Sequence, residues 1–220
     1  MVLAKIKKNI YIIYTLIFII TLGVVLITVQ NQTNAIISEL TLNRAVTAKQ
    51  ELISYFKELE DRAMPRAELI ASRESTIESI KSGDFNMIKA NVIDFSGDID
   101  VVSICDPDGI IFYTTYDGSY GRDISGQKNV ADVLRTGKKS SSIEFLPVGH
   151  LAICASAPVY DEGHLIGIVN CNFDLTEYKH LDEYKKRTGC EATIFIGDER
   201  ISTTIMDRSG NRISGTIADK

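Results

Sequence analysis

The sequence predicts an α+β protein: an apolar membrane-spanning helix, a long amphipathic helix, then an antiparallel sheet accompanied by helices. Three observations predict it. Residues 10–29 carry no charge, and about twenty residues at about 1.5 Å each match the thickness of a bilayer core. Leu42, Ala45, Ala48, Leu52, Phe56, Leu59 and Ala63 recur at three- and four-residue steps, with Lys49, Glu51, Lys57, Glu58 and Glu60 mostly between them. Beyond them, two pairs of apolar runs flank Asp106-Pro107-Asp108-Gly109 and Asp161-Glu162-Gly163-His164, which is the turn chemistry of tight hairpins.

From the amino terminus, 220 residues with a net charge of −5 and 45% hydrophobic content describe an ordinary foldable chain of one or two domains. The mild acidity, and the lack of a Lys/Arg cluster beyond the first residues, argue against nucleic acid as a partner. Lys5, Lys7 and Lys8 precede the apolar run, and the first charges after it are Glu39 and Arg44. The positive-inside bias then keeps residues 1–9 in the cytoplasm, with 10–29 crossing the membrane and the chain after about residue 30 outside. A cleaved signal peptide is the alternative. The run is long for one, and no small-residue cleavage pattern follows it, which favours a retained anchor. The amphipathic stripe either packs on its own domain or forms the parallel seam of a homodimer, and the two can coexist.

Met64-Pro65 predicts a break, because proline disfavours a helical residue before it. A second helix carries Leu69, Ile70, Ile77 and Ile80 and stops at Ser82-Gly83, and Asp84 caps a third that carries Met87, Ile88, Val92, Ile93 and Phe95. The first hairpin joins strands 101–105 and 110–115. Pro107 presets the turn and Gly109 accepts a positive φ. Residues 116–145 read as loop, punctuated by Gly118, Gly121 and Gly126, with a short helix at 130–135 ending at Gly137. The second hairpin, 151–159 and 165–173, is apolar on both sides. It therefore belongs in the middle of the sheet, covered by a helix on one face and by a pocket or loop on the other. Leu175, Tyr178, Leu181 and Tyr184 mark a linking helix that stops before Gly189. Two or three strands follow, 192–196 and 201–206 with 213–217 as an optional third, too few to close a core alone.

Cys105-Asp106-Pro107-Asp108-Gly109-Ile110-Ile111-Phe112-Tyr113, Gly121-Arg122-Asp123-Ile124, Ala157-Pro158-Val159-Tyr160-Asp161 and Ile166-Gly167-Ile168-Val169 occur in an order that resembles the extracytoplasmic Cache sensor domain of bacterial chemoreceptors. The resemblance covers roughly residues 35–175, and a second such module begins near Cys190 with Ile194-Phe195-Ile196-Gly197-Asp198-Glu199-Arg200. It implies a PAS-like sheet with a ligand pocket in a module spanning 30–175, followed at 176–220 by a linker helix and an incomplete second module. It further implies a small-molecule sensor for chemotaxis signalling across the membrane. The sensor region of a histidine kinase or diguanylate cyclase, or a tethered structural module without a ligand, are the alternatives. On this reading the gene continues past Lys220 with more strands, a second apolar run and an output domain.

Nothing in the sequence points to catalysis or a cofactor. Ser125-Gly126-Gln127-Lys128 has the Ser-x-x-Lys spacing of some acyl-transfer enzymes but lacks their companion motifs. His150, His164 and His180 are solitary, and Cys105, Cys154, Cys171 and Cys190 show no Cys-x-x-Cys pair, so no metal site is expected. The four cysteines allow three disulfide connectivities. A two-residue turn at Glu162-Gly163 places Cys154 opposite Cys171, either as a disulfide or, preferably, as two small buried thiols. The candidate ligand groups begin with Asn170 and Asn172, anomalous amides that share one face of an otherwise apolar strand and either bond to the chain or wait for a ligand. Tyr113, Tyr116, Lys128 and His150 are further candidates, with packing or surface roles as the alternative. In amino-acid-binding Cache domains an Asp holds the ligand's amino group where Asn172 stands here. An uncharged amide forms no such ion pair, and the Arg-x-Trp-Tyr signature of those members is absent, which argues against an ordinary α-amino acid.

Overall fold

The computed structural model describes residues 2–146 and 149–217; of residues 2–13, 15 and 16 it describes the backbone only. By contacts the chain divides into two units, 1–50 and 51–220. The first is the leading part of helix α1 (Val2–Ala71), and from Ile17 to Val29 it exposes Ile, Leu, Val and Phe side chains. One helix this long and apolar is consistent with a single membrane-spanning segment. Lys5, Lys7 and Lys8, which set the expected orientation, have side chains outside the described set.

The second unit is the α+β body. After the end of α1 come α2 (Glu74–Ser82), α3 (Phe85–Ser96), β1 (Val101–Cys105), β2 (Ile111–Thr114), α4 (Lys128–Thr136), β3 (Ser140–Phe145), β4 (Leu151–Asp161), β5 (His164–Asp174), α5 (Tyr178–Thr188), β6 (Thr193–Ile196) and β7 (Glu199–Thr203). Strands β1 to β5 form one antiparallel sheet in the order β2-β1-β5-β4-β3. The two long apolar strands lie inside it, as their lack of a wet face requires. Against one face pack Tyr55, Leu59, Ala63, Ala67 and Ile70 of α1, which meet Val102, Ile104, Ile153, Ala155, Val169, Cys171 and Phe173. Leu59 is fully buried there, and truncating such a side chain to Ala costs about 3 kcal/mol. On the other face α4 seals a smaller cluster, with Val130 and Val133 on Cys105, Ile111, Ile124 and Ile168.

Three local expectations are corrected. α1 does not end at Met64-Pro65 but runs to Ala71. Pro65 lies on the exposed side, and the residue four positions before it, Asp61, is exposed too, so the carbonyl deprived of its partner faces water, while Ala63 and Ala67 anchor the helix on the packed side. Second, the expected loop at 116–145 contains strand β3. It is an edge strand whose Ser140-Ser141-Ser142 start gives no apolar alternation. Third, the optional strand 213–217 does not form: the segment makes an isolated bridge, Glu199 with Ile217, and backbone hydrogen bonds to Arg200 and Ile205.

The register of β4 and β5 overturns the cysteine pairing. The turn forms as expected, with Asp161 opposite His164, Glu162 at φ 48° and Gly163 at φ 84°. Ile166 is then an extra residue in β5: Tyr160 pairs with Leu165 but Val159 with Gly167. Past this bulge every partner moves by one, so Cys154 faces Asn172 and Cys171 faces Ala155. Cys154 and Cys171 therefore point to opposite faces of the sheet, and both are free thiols. Burial pushes the Cys105 and Cys171 thiols up to about 12, and burial, with Glu144 and Asp174 nearby, pushes Cys154 up as well. Iodoacetamide at neutral pH is expected to label Cys190, which is partly exposed, and to spare the other three until the protein is unfolded. Peptide mapping after mild oxidation should find no Cys154–Cys171 link; a dominant one would mean that the bulge is misplaced.

Candidate functional site

The face of the sheet away from α1 is where polar side chains gather. Period-two alternation along β5 sends Asn170, Asn172 and Asp174 to this side, and the ladders set Ser103 of β1 and Ala152, Cys154 and Ser156 of β4 beside them. Loop 116–127, His150 and Leu146 close over the face, leaving a cavity with about 530 Å3 of space not filled by atoms, its mouth included. About 40 Å3 of that admits the centre of a water molecule. The lining is chiefly apolar, from Val101, Ile111, Ile124, Leu146 and Ala152, with Asn172, Asp174, His150 and Arg122 among its polar members.

The two asparagines differ in what they touch. Asn170 belongs to a closed network: its Oδ1 accepts from Asn129 Nδ2 at 2.8 Å and from Ser156 Oγ at 3.2 Å, and its Nδ2 reaches Gln127 Oε1 at 3.5 Å. Asn172 is 3% exposed, lines the cavity, and its buried Oδ1 accepts no hydrogen bond from any described residue. A buried acceptor without a donor costs roughly 1–3 kcal/mol. Next to it, Asp174 receives the Thr176 amide at 2.9 Å and Thr176 Oγ1 at 2.5 Å on Oδ1, while His150 Nδ1 meets its Oδ2. The ring of Tyr116 stands edge-on to His150 at 5.8 Å.

The roof is held by a carboxylate. Gln127 gives the amino end of α4 no side-chain cap, and Glu144 of β3 supplies one instead, accepting from the backbone N–H of Lys128 at 2.8 Å and of Asn129 at 3.0 Å. Behind the cavity, Asp100 links β5, α5 and, through His180, α1. It accepts from the Asp174 amide at 3.0 Å, contacts His180 Nε2 at 2.6 Å and pairs with Lys179; His180 Nδ1 in turn meets the Tyr55 hydroxyl of α1 at 3.1 Å. Burial pulls the Asp100 carboxyl upward, but the hydrogen bonds from His180 and Lys179 outweigh it and leave the group below its ordinary value.

Of the sequence candidates, the structure brings Asn170, Asn172, Tyr116 and His150 together. It does not bring Tyr113 or Lys128. Tyr113 sits opposite Ile104 on the helical face and packs edge-on against Phe85 at 5.6 Å, because Phe112 is an extra residue in β2. The Lys128 side chain is 71% exposed and leans toward Asp132 at 3.7 Å. Sequence reasoning missed Asp174, Arg122, Gln127 and Ser103. Asp174 was within reach, since it continues the same alternation two residues beyond Asn172; the other three depend on which strands and loops adjoin.

An antiparallel sheet with a long helix on one face and a polar-edged cavity under a loop on the other is the architecture of a PAS-like sensor module. Residues 47–219 match the family described as the double sensory domain of two-component sensor kinases, and the chain belongs to that family. Among solved structures, the sensor domain of the Vibrio cholerae histidine kinase DctB is similar in fold (TM-score 0.56, 13% identity, 80% of this chain and 70% of that one). So is the periplasmic domain of Vibrio cholerae LuxQ (TM-score 0.55, 12% identity, 76% of this chain and 82% of that one). No curated protein matches the chain.

Two variants separate the asparagines. Asn170→Ala removes the acceptor shared by Asn129 Nδ2 and Ser156 Oγ and is expected to lower stability by about 2 kcal/mol, whereas Asn172→Ala, which breaks no internal bond to Oδ1, should stay within about 0.5 kcal/mol. Thermal melts of both decide it. Asp100→Ala removes a carboxylate that His180, Lys179 and the Asp174 amide all contact, and should cost about 3 kcal/mol at neutral pH. Because folding lowers the Asp100 pKa, its contribution is present above the unfolded carboxylate value of about 4 and is lost as pH falls through the folded value. The wild-type advantage over Asp100→Ala should therefore shrink in melts below about pH 4.

Proposed function

We propose that this chain is the sensing portion of a membrane-anchored two-component sensor kinase, taking up a small solute in the cavity over β5. The observation that carries the reading is the buried, unpartnered Oδ1 of Asn172 on the sheet face opposite α1. An acceptor that costs stability while idle repays that cost when a donor arrives, which gives a solute differential affinity for one arrangement of the site. The family match supports kinase output rather than the chemotaxis receptor that the sequence motifs suggest. Residues 10–29 serve as the anchor, the sensing unit lies outside the membrane, and the exposed Ile36, Ile37 and Leu40 of α1 suit the seam of a homodimer.

A metabolite screen by thermal shift tests the reading. A ligand at a hundred times its dissociation constant stabilises the fold by about 2.7 kcal/mol. The shift should appear in the wild type and vanish in Asn172→Ala, while that variant stays folded without ligand. A hit that shifts both proteins equally would place binding elsewhere.

A further inference from the structure

The charges around the cavity restrict what it can hold. Arg122, His150 and Asp174 are the lining side chains that can carry charge near neutral pH, and each has a partner inside the protein. Arg122 Nη2 donates to Asp117 Oδ2 at 2.7 Å and to Ser119 Oγ at 3.3 Å. Both oxygens of Asp174 are engaged, one by the amide and hydroxyl of Thr176 and the other by His150. An anion would have to share the Arg122 charge with Asp117 while lying in the same cavity as the Asp174 carboxylate. A cation would have to compete with the three donors on Asp174. Either would also give up its hydration to Val101, Ile111, Ile124, Leu146 and Ala152, at a cost that only a free counter-charge offsets.

The group left without a match is uncharged. Asn172 presents a carboxamide whose Oδ1 lacks a donor, and the complement of a carboxamide is another carboxamide, whose N–H donates to Oδ1 while its own carbonyl accepts from Nδ2. The free space of about 40 Å3 is on the order of three water-sized groups, which limits the polar end and its nearest carbons to a few heavy atoms. We infer that the solute sensed here is a small uncharged molecule, a short primary amide, recognised by Asn172 in an amide-to-amide pair and excluding the carboxylate and cation of the same shape. The inference rests on the cavity being the sensing site.

Acetamide, acetate and acetamidinium test it, because they share one shape and four heavy atoms each while differing in charge. The full chain in lipid nanodiscs is melted with each at matched ionic strength. Acetamide should raise the melting temperature and reach its half-effect at a concentration at least tenfold lower than either ion. Asn172→Ala should lose that shift. Asn172→Asp, which puts an anion at the same place, should transfer the preference to acetamidinium. If acetate or acetamidinium is the better ligand of the wild type and Asn172→Ala abolishes it, the uncharged assignment is overturned and the sensing site stands. If none of the three shifts the wild type, or acetamide shifts Asn172→Ala equally, both the assignment and the site fall.

Discussion

The constraint on which the polar face of the sheet depends is the single extra residue in β5. Side chains alternate across a sheet with a period of two, so a one-residue change of register exchanges the partners that share a face. Without Ile166, Cys154 would stand beside Cys171 and Ser156 beside Val169. With it, Ser156 adjoins Asn170, Cys154 adjoins Asn172 and Ala152 adjoins Asp174, so the polar groups of two strands assemble on the side away from α1. The other side keeps Ile153, Ala155, Val169, Cys171 and Phe173 for the hydrophobic core, whose burial supplies most of the stability. The bulge thereby separates an apolar sheet face that packs on α1 from a face that lines a cavity with polar groups.

Stability and recognition are also kept apart among the polar groups. Asn129 Nδ2 and Ser156 Oγ both donate to Asn170 Oδ1, so that acceptor is matched within the protein, and Glu144 completes the helix end above them. Asn172 is the exception in the same strand, two residues away. Behind it, Asp100 ties the end of β5 to His180 and through it to Tyr55 of α1. A solute that alters the last residues of β5 thus acts on a strand bonded through two side chains to the long helix.

Much of the fold was legible because its signals are local. Asp84 accepts from the amides of Asn86 and Met87 as an N-cap should, Gly83, Gly137 and Gly189 end their helices with positive φ, and both turns form where Asp and Gly announce them. The two asparagines were legible as a pair sharing one face. What distinguishes them was not, since Asn170 is satisfied by Asn129 and Ser156, at 41 and 14 positions' separation, and sequence pattern carries no such pairing. The bulges at Ile166 and Phe112 escaped for a related reason. Each is a choice made by the packing of neighbouring strands, and the residues at the bulge are ordinary strand formers. Pro65 misled because its cost depends on which side of the helix meets water.

The central claim is that one amide on β5 is closed within the protein and the other is open to a solute. Nuclear magnetic resonance of protein labelled with 15N at asparagine reads both side chains directly, with assignment by substitution. The account predicts that the Asn170 side-chain hydrogens exchange slowly and keep their resonances when a bound solute is added, while those of Asn172 exchange faster and shift. Equal protection of the two, or a solute-induced shift confined to Asn170, would contradict it.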